Sequence, residues 1–146
     1  GNILALKKII VAISGPITNF IIALVCGFFK VSLFNISTEF IVFSNLLIGV
    51  FNLIPIYPLD GGRIIKGILH IKAGLKNSYK YTYILSNVTI LFLTIISSIA
   101  ILYLKNIAIV LIVMYLWILV IKENNIYNKK MHLYKLVDNI EQNAIK

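Results

Sequence analysis

Asn52-Leu-Ile-Pro-Ile-Tyr-Pro-Leu-Asp-Gly-Gly-Arg63 interrupts an otherwise smooth apolar run. Pro55 and Pro58 each remove a backbone N–H and clash with the preceding turn, so a helix entering this stretch must break. Unwound backbone at membrane depth persists only where it is buried in protein or faces a wet cavity. Asp60 stands just beyond the break. Apart from Glu39, it is the only acidic residue in or beside an apolar segment. A carboxylate there is costly and by default suggests a cation, metal or proton as partner. Gly61 and Gly62 allow a sharp turn and close backbone approach. A plainer reading makes Asp60 the N-cap of a helix over Gly61–Lys72, or the ion-pair partner of Arg63.

The surrounding composition sets the class. The chain has 146 residues, 60% hydrophobic and 13% charged, against about 45–50% and 25% in a soluble domain. Uncharged runs extend over Ile9–Phe29, Phe40–Leu59, Tyr81–Leu104 and Asn106–Ile121. Three of them have at least 20 residues, enough to cross a hydrocarbon core of about 30 Å. The expected fold is all-α: a polytopic α-helical membrane protein with about four transmembrane helices, one of them Pro-broken. Residues 1–122 form the membrane-embedded core and residues 123–146 a short tail. Soluble enzymes, disordered tails and secreted disulfide scaffolds are excluded. The single cysteine, Cys26, lies in the first span and reads as a small buried apolar residue.

The net charge of +9 does not point to nucleic acid, because the charges sit at the ends of the apolar runs. If each run crosses once, 12 of the 14 basic residues fall on one side, leaving Lys30 and Lys105 on the other. The rich side is expected to be cytoplasmic, with both ends of the chain inside. The Lys105-Asn106 break favours two spans over one long bent helix from Tyr81 to Ile121. Span four is short at 16 residues, and snorkelling lysines would have to extend it. Arg63–Lys72 puts Ile64, Ile65, Ile68 and Leu69 on one helical face and Arg63, Lys66 and His70 on another. That suits a helix lying at, or emerging through, the cytoplasmic interface. Leu133, Leu136, Val137 and Ile140 suit a short amphipathic helix in the tail. The chain starts at Gly rather than Met, so a processed chain or a piece of a longer one is expected, and Gly1–Lys8 has no signal-peptide pattern.

A second stretch, Ser14-Gly-Pro-Ile-Thr-Asn19, lies within the first run. Gly15 and Pro16 would bend the helix and admit a close neighbour, and Asn19 needs hydrogen-bond partners in lipid. Helix packing explains these residues on physical grounds alone.

Together the two stretches resemble the site-2 protease family of intramembrane zinc metalloproteases (peptidase family M50), especially its stage IV sporulation FB-type branch. That family has Gly-Pro-x-x-Asn in the span after its zinc-binding helix, and Asn-x-x-Pro-x-x-Pro-Leu-Asp-Gly-Gly one span later. These match Gly15–Asn19 and Asn52–Gly62. The resemblance covers nearly the whole chain but only the second half of the family's membrane core. It implies Asp60 as the third protein ligand of a catalytic Zn2+. It also implies Asn52, Pro55 and Pro58 as residues that shape the site and hold an extended substrate. The family's other two ligands come from a His-Glu-x-x-His helix, whose Glu is the general base. That motif is absent here. His70 and His132 lack the required neighbours, so no catalytic residue is expected in this chain, which should be inactive alone. The implied partners are membrane lipid, a membrane-tethered protein substrate such as a sigma-factor precursor, and membrane proteins that restrain the protease. The rival class is non-enzymatic: a degenerate family member that binds clients, or a small transporter using Asp60.

Overall fold

The structure, a computed structural model, describes residues 2–30, 36–105 and 107–144. Gly1, Asn106 and Lys146, which entered the span limits and charge tally, lie outside the described residues. Four α-helices follow in order: α1 (Asn2–Phe29), α2 (Thr38–Asn52), α3 (Asp60–Leu104) and α4 (Ile107–Ala144). Among the described residues, α1, α3 and α4 are long and apolar enough to cross a membrane, whereas α2 has 15 residues. The expected all-α polytopic membrane fold is the one observed.

The short α2 is capped by Ser37, whose side chain accepts the Phe40 N–H at 3.3 Å. It ends at Asn52, as the two prolines require. It runs antiparallel to α1, with Gly49 against the Phe20 ring and Gly27 facing Val42. The chain then loops through residues 53–59 and resumes as α3.

Gly74 divides α3 into two limbs. Its φ of 80° and ψ of 168° lie outside the helical region, in a conformation that favours glycine. The first limb, residues 60–73, is about 21 Å long; the second, residues 75–104, is about 45 Å. They fold against each other as a hairpin, placing Lys66 over the Tyr79 ring and the Tyr57 N–H on Ser86. The first limb also runs antiparallel to α1, with Asp60 near Gly15 and Gly67 near Ile9. It therefore travels in the same direction as α2, and α2, the loop and the first limb form one interrupted crossing along α1. Of the two readings of Arg63–Lys72, a helix lying at the interface or one emerging through it, the second fits: residues 60–73 continue the line of α2 along α1.

Small residues mark the inward face of that limb. Gly61, Gly62 and Gly67 are buried, whereas Ile68 is 40% exposed. In α1 the buried positions are Ala5, Ala12, Pro16, Ala23 and Cys26, with large apolar side chains turned outward. In lipid, large apolar groups gain little by moving inward, and close packing selects small residues for the interfaces.

Lys105, in the left-handed region at φ 49°, ends α3 and donates its N–H to the Ile101 carbonyl at 3.1 Å. The expected break before span four is thus present. The helix beyond it is longer than its apolar run, because α4 continues through Lys122 to Ala144. The tail's expected amphipathic helix is the last part of α4, and Leu133, Leu136, Val137 and Ile140 remain exposed on it.

Candidate metal and substrate site at the break

The loop between α2 and α3 is held from several directions. The Ile54 carbonyl accepts the Ile56 N–H at 2.7 Å, and the Ile56 carbonyl accepts the Leu59 N–H at 2.8 Å. Ile56 is fully buried in a cluster with Ile90, Val113, Leu116 and Val120 of α3 and α4, and Phe51, Ile54 and Leu59 pack against that cluster. The Tyr57 N–H donates to Ser86 Oγ at 3.1 Å, and the Tyr57–Pro58 peptide bond is cis. The unwound segment thus satisfies much of its backbone internally, as membrane depth demands. It is wedged sideways into the α3–α4 pair.

The two glycines after Asp60 have a specific task. A Cβ on Gly61 would collide with the Leu53 and Ile54 carbonyls, and one on Gly62 with the Ile56–Tyr57 backbone. The start of α3 therefore lies directly on the loop, at a separation only glycine permits.

Asp60 is the first residue of α3. Leu59 occupies the N-cap position and makes no side-chain cap bond, so Asp60 does not serve as the N-cap. Its negative charge still suits the positive end of the helix dipole. Oδ1 faces Arg63 Nη1 at 3.7 Å, and the Asp60 side chain is 21% exposed. Oδ2 points at Gly15: a Cβ there would lie only 2.9 Å away. The structure thus brings together the two stretches singled out in the sequence, and Gly15 makes room for the carboxylate. Pro16, inside α1, is buried, and Asn19 is half-buried one turn beyond Gly15. Asn52 ends α2, while Pro55 and Pro58 lie in the loop, all three half-buried.

Among the described residues, no three His, Cys, Asp or Glu side chains gather closely enough to hold a metal ion. His132 is exposed on α4. His70 is half-buried and lines a basic cleft. Asp60 has the donor chemistry of a zinc ligand, but a catalytic zinc takes three protein ligands. The chain alone therefore does not fit a complete zinc site.

The fold and its carboxylate-bearing break define a class: a polytopic membrane protein with an acid set at an interrupted crossing. The comparisons support the peptidase M50, or site-2 protease, family. The model of that peptidase family matches residues 30–96, a segment that contains the whole Asn52–Gly62 stretch. A zinc metalloprotease of Methanocaldococcus jannaschii is 40% identical over 78 residues, covering 48% of this chain and 22% of that protein. A Mycobacterium tuberculosis protein named for a zinc metalloprotease, Rip3, is 37% identical over 67 residues, covering 40% of this chain and 17% of its own length. The solved site-2 protease from M. jannaschii superposes with a TM-score of 0.59 at 29% identity, over 80% of this chain and 54% of that one. The chain thus spans about a fifth of these curated relatives and about half of the solved protein.

Proposed function

We infer that this chain is the part of an intramembrane zinc metalloprotease that supplies the third metal ligand and the substrate-facing loop. The observation that carries the reading is the Asp60 carboxylate, set at a break in a membrane crossing with one oxygen toward Gly15 and the other toward Arg63. The family's names support the metal, since the relatives are zinc metalloproteases.

In this reading Asp60 completes a set whose remaining donors come from a His-Glu-x-x-His helix. A zinc ion held by that complete set would provide Lewis-acid chemistry and an activated water near neutral pH. The chain's own residues orient and bind. Arg63 holds one Asp60 oxygen and leaves the other available. Asn52, Pro55 and Pro58 border the place where an unwound substrate segment is received. The substrate is a membrane-tethered protein, and in the sporulation branch a sigma-factor precursor, with membrane proteins restraining cleavage.

The test is Asp60→Asn in a form carrying this chain together with the His-Glu-x-x-His helix. Cleavage of a membrane-tethered substrate should fall by about a hundredfold or more while the protein still accumulates. Near wild-type cleavage at matched protein level rejects the assignment. The charge distribution further supports a topology with both chain ends cytoplasmic. Single cysteines at positions 76 and 130 should label from the cytoplasm and one at 105 from the other side. Labelling of 105 together with 130 would overturn it.

A further inference from the structure

Beside the broken crossing is a second feature of which the protease reading uses only Arg63. The amino-terminal part of α1, the first limb of α3, the hairpin tip and α4 enclose a cleft of about 540 Å3. Lys7, Lys8, Arg63, Lys66, His70 and Lys130 line it, and among the described residues no carboxylate does. Glu123 lines an adjoining, smaller space of about 20 Å3 that shares Tyr57, Lys66 and Tyr79 with the cleft.

Two of the cations are held in place by aromatic groups. The Lys66 ammonium lies 3.9 Å from the Tyr57 ring centre and 4.0 Å from that of Tyr79. Lys130 lies 4.3 Å from the same Tyr79 ring centre and donates to the Tyr79 hydroxyl at 2.7 Å. Rings attract cations through their faces but do not neutralise them. The cleft therefore keeps a net positive charge: its five Lys and Arg side chains are offset only in part by Asp60, 3.7 Å from Arg63, and by Glu123, which acts on Lys66 and Lys130, and two of the ammonium groups are ordered in advance.

Its position matters as much as its charge. The uncharged run of α3 begins at Tyr81 and that of α4 ends at Ile121, so Tyr79 lies two residues and Lys130 nine residues outside the uncharged runs. Leu4, Ala5, Val11 and Leu75 add an apolar wall. A basic pocket between helices at this level, with one apolar side, has the chemistry that receives an anionic headgroup while the acyl chains stay in lipid.

We propose that this cleft is a binding site for a phosphate-bearing anion. The shared chemistry is a phosphate group clasped by Lys66 and Lys130, with Lys7, Lys8, Arg63 and His70 around it. A phospholipid headgroup and a free phosphate anion could each supply that group, and the experiment separates them.

The complete protein is delipidated and titrated with phosphatidylglycerol, with phosphatidylcholine and with soluble pyrophosphate, and bound ligand is read by native mass spectrometry. Phosphatidylglycerol should be retained over phosphatidylcholine. Lys66→Gln combined with Lys130→Gln should weaken retention by about tenfold or more. Lys129→Gln combined with Lys135→Gln removes equal charge from α4 outside the cleft and should change retention little. Lys66→Arg with Lys130→Arg keeps both charges and should retain binding, which separates loss of the site from loss of the fold. Retention of the lipid alone identifies the headgroup as the source. Saturable pyrophosphate binding that is lost in the glutamine pair identifies a free anion. Equal weakening by the two glutamine pairs, or no preference for either phosphate ligand over phosphatidylcholine, overturns the proposal.

Discussion

The two halves of this molecule are joined by different means. Along α1, the interrupted crossing is packed through missing side chains: Gly49 against Phe20, Gly67 against Ile9, Gly15 against Asp60, and Gly61 and Gly62 against the loop backbone. The second limb of α3 and α4 are joined by polar and aromatic pairs. Asn87 and Asn124 exchange amide hydrogen bonds at 3.0 and 2.9 Å, Trp117 Nε1 donates to Thr94 Oγ1 at 2.9 Å, and the Tyr83 and Tyr127 rings stack at 4.3 Å. Farther out, Lys76 meets Asp138 at 2.6 Å. Where a glycine meets backbone, as at Gly61 and Gly62, no added atom is tolerated; where it meets a side chain, as at Gly15, Gly49 and Gly67, the neighbour can give. Polar pairs between helices tolerate change, because each lost bond in a membrane is worth only about 0.6 kcal/mol on average. The site lies in the intolerant half, and the tolerant half braces it through Ile56 and Ser86.

That contrast orders the expected effects of substitution. The largest should come from Gly62→Val, because the new side chain meets backbone that cannot rotate away. We expect about 3 kcal/mol of destabilisation and loss of the accumulated protein. A normally accumulating, active Gly62→Val variant would mean that the loop does not lie on the start of α3.

Gly15→Ala should be selective. The added methyl meets a carboxylate oxygen that can swing away, so stability should change by less than about 1 kcal/mol, while cleavage falls by roughly tenfold to a hundredfold through misplacement. Gly49→Ala is its counterpart in the same helix pair. There the methyl meets the Phe20 ring and activity should stay near normal. Similar activity losses in the two variants would show that Gly15 serves helix packing and not Asp60.

The smallest effect belongs to the braced half. Asn87→Leu or Asn124→Leu alone should cost about 1 kcal/mol by leaving an amide unpaired, and the double variant should cost little more than either. Additive losses in unfolding measurements would show that the two amides do not act as a pair.

Much of this arrangement was legible in the sequence. Pro55 and Pro58 placed the break, Asp60 stands beside it as read, and the uncharged runs gave the helices. The continuation of the broken span was only half legible, because Arg63 and Lys66 suit a helix lying at the interface as well as one emerging through it. Arg63 is exposed and Lys66 is half-buried between the Tyr57 and Tyr79 rings, while the glycine face packs inward. The hairpin was signalled only by Gly74, just after Lys72, the usual sign of a helix stop. The wedge of Ile56 had no signal, since a loop carries no period to show which way its side chains turn. Continuity of α4 was hidden by the change in composition at Lys122, which marks the end of the apolar zone and not of the helix.

The account rests on the Asp60 carboxylate being a metal ligand. The most direct test is the zinc content of the complete protein, wild type against Asp60→Asn, after dialysis against a chelator. Asn at the first helical position satisfies the local backbone as well as Asp, but it is a neutral, poor zinc ligand. Wild-type protein should retain about one zinc per chain and the variant a small fraction of that, with helical content unchanged. Equal zinc in both would contradict the central claim and leave Asp60 as the ion-pair partner of Arg63.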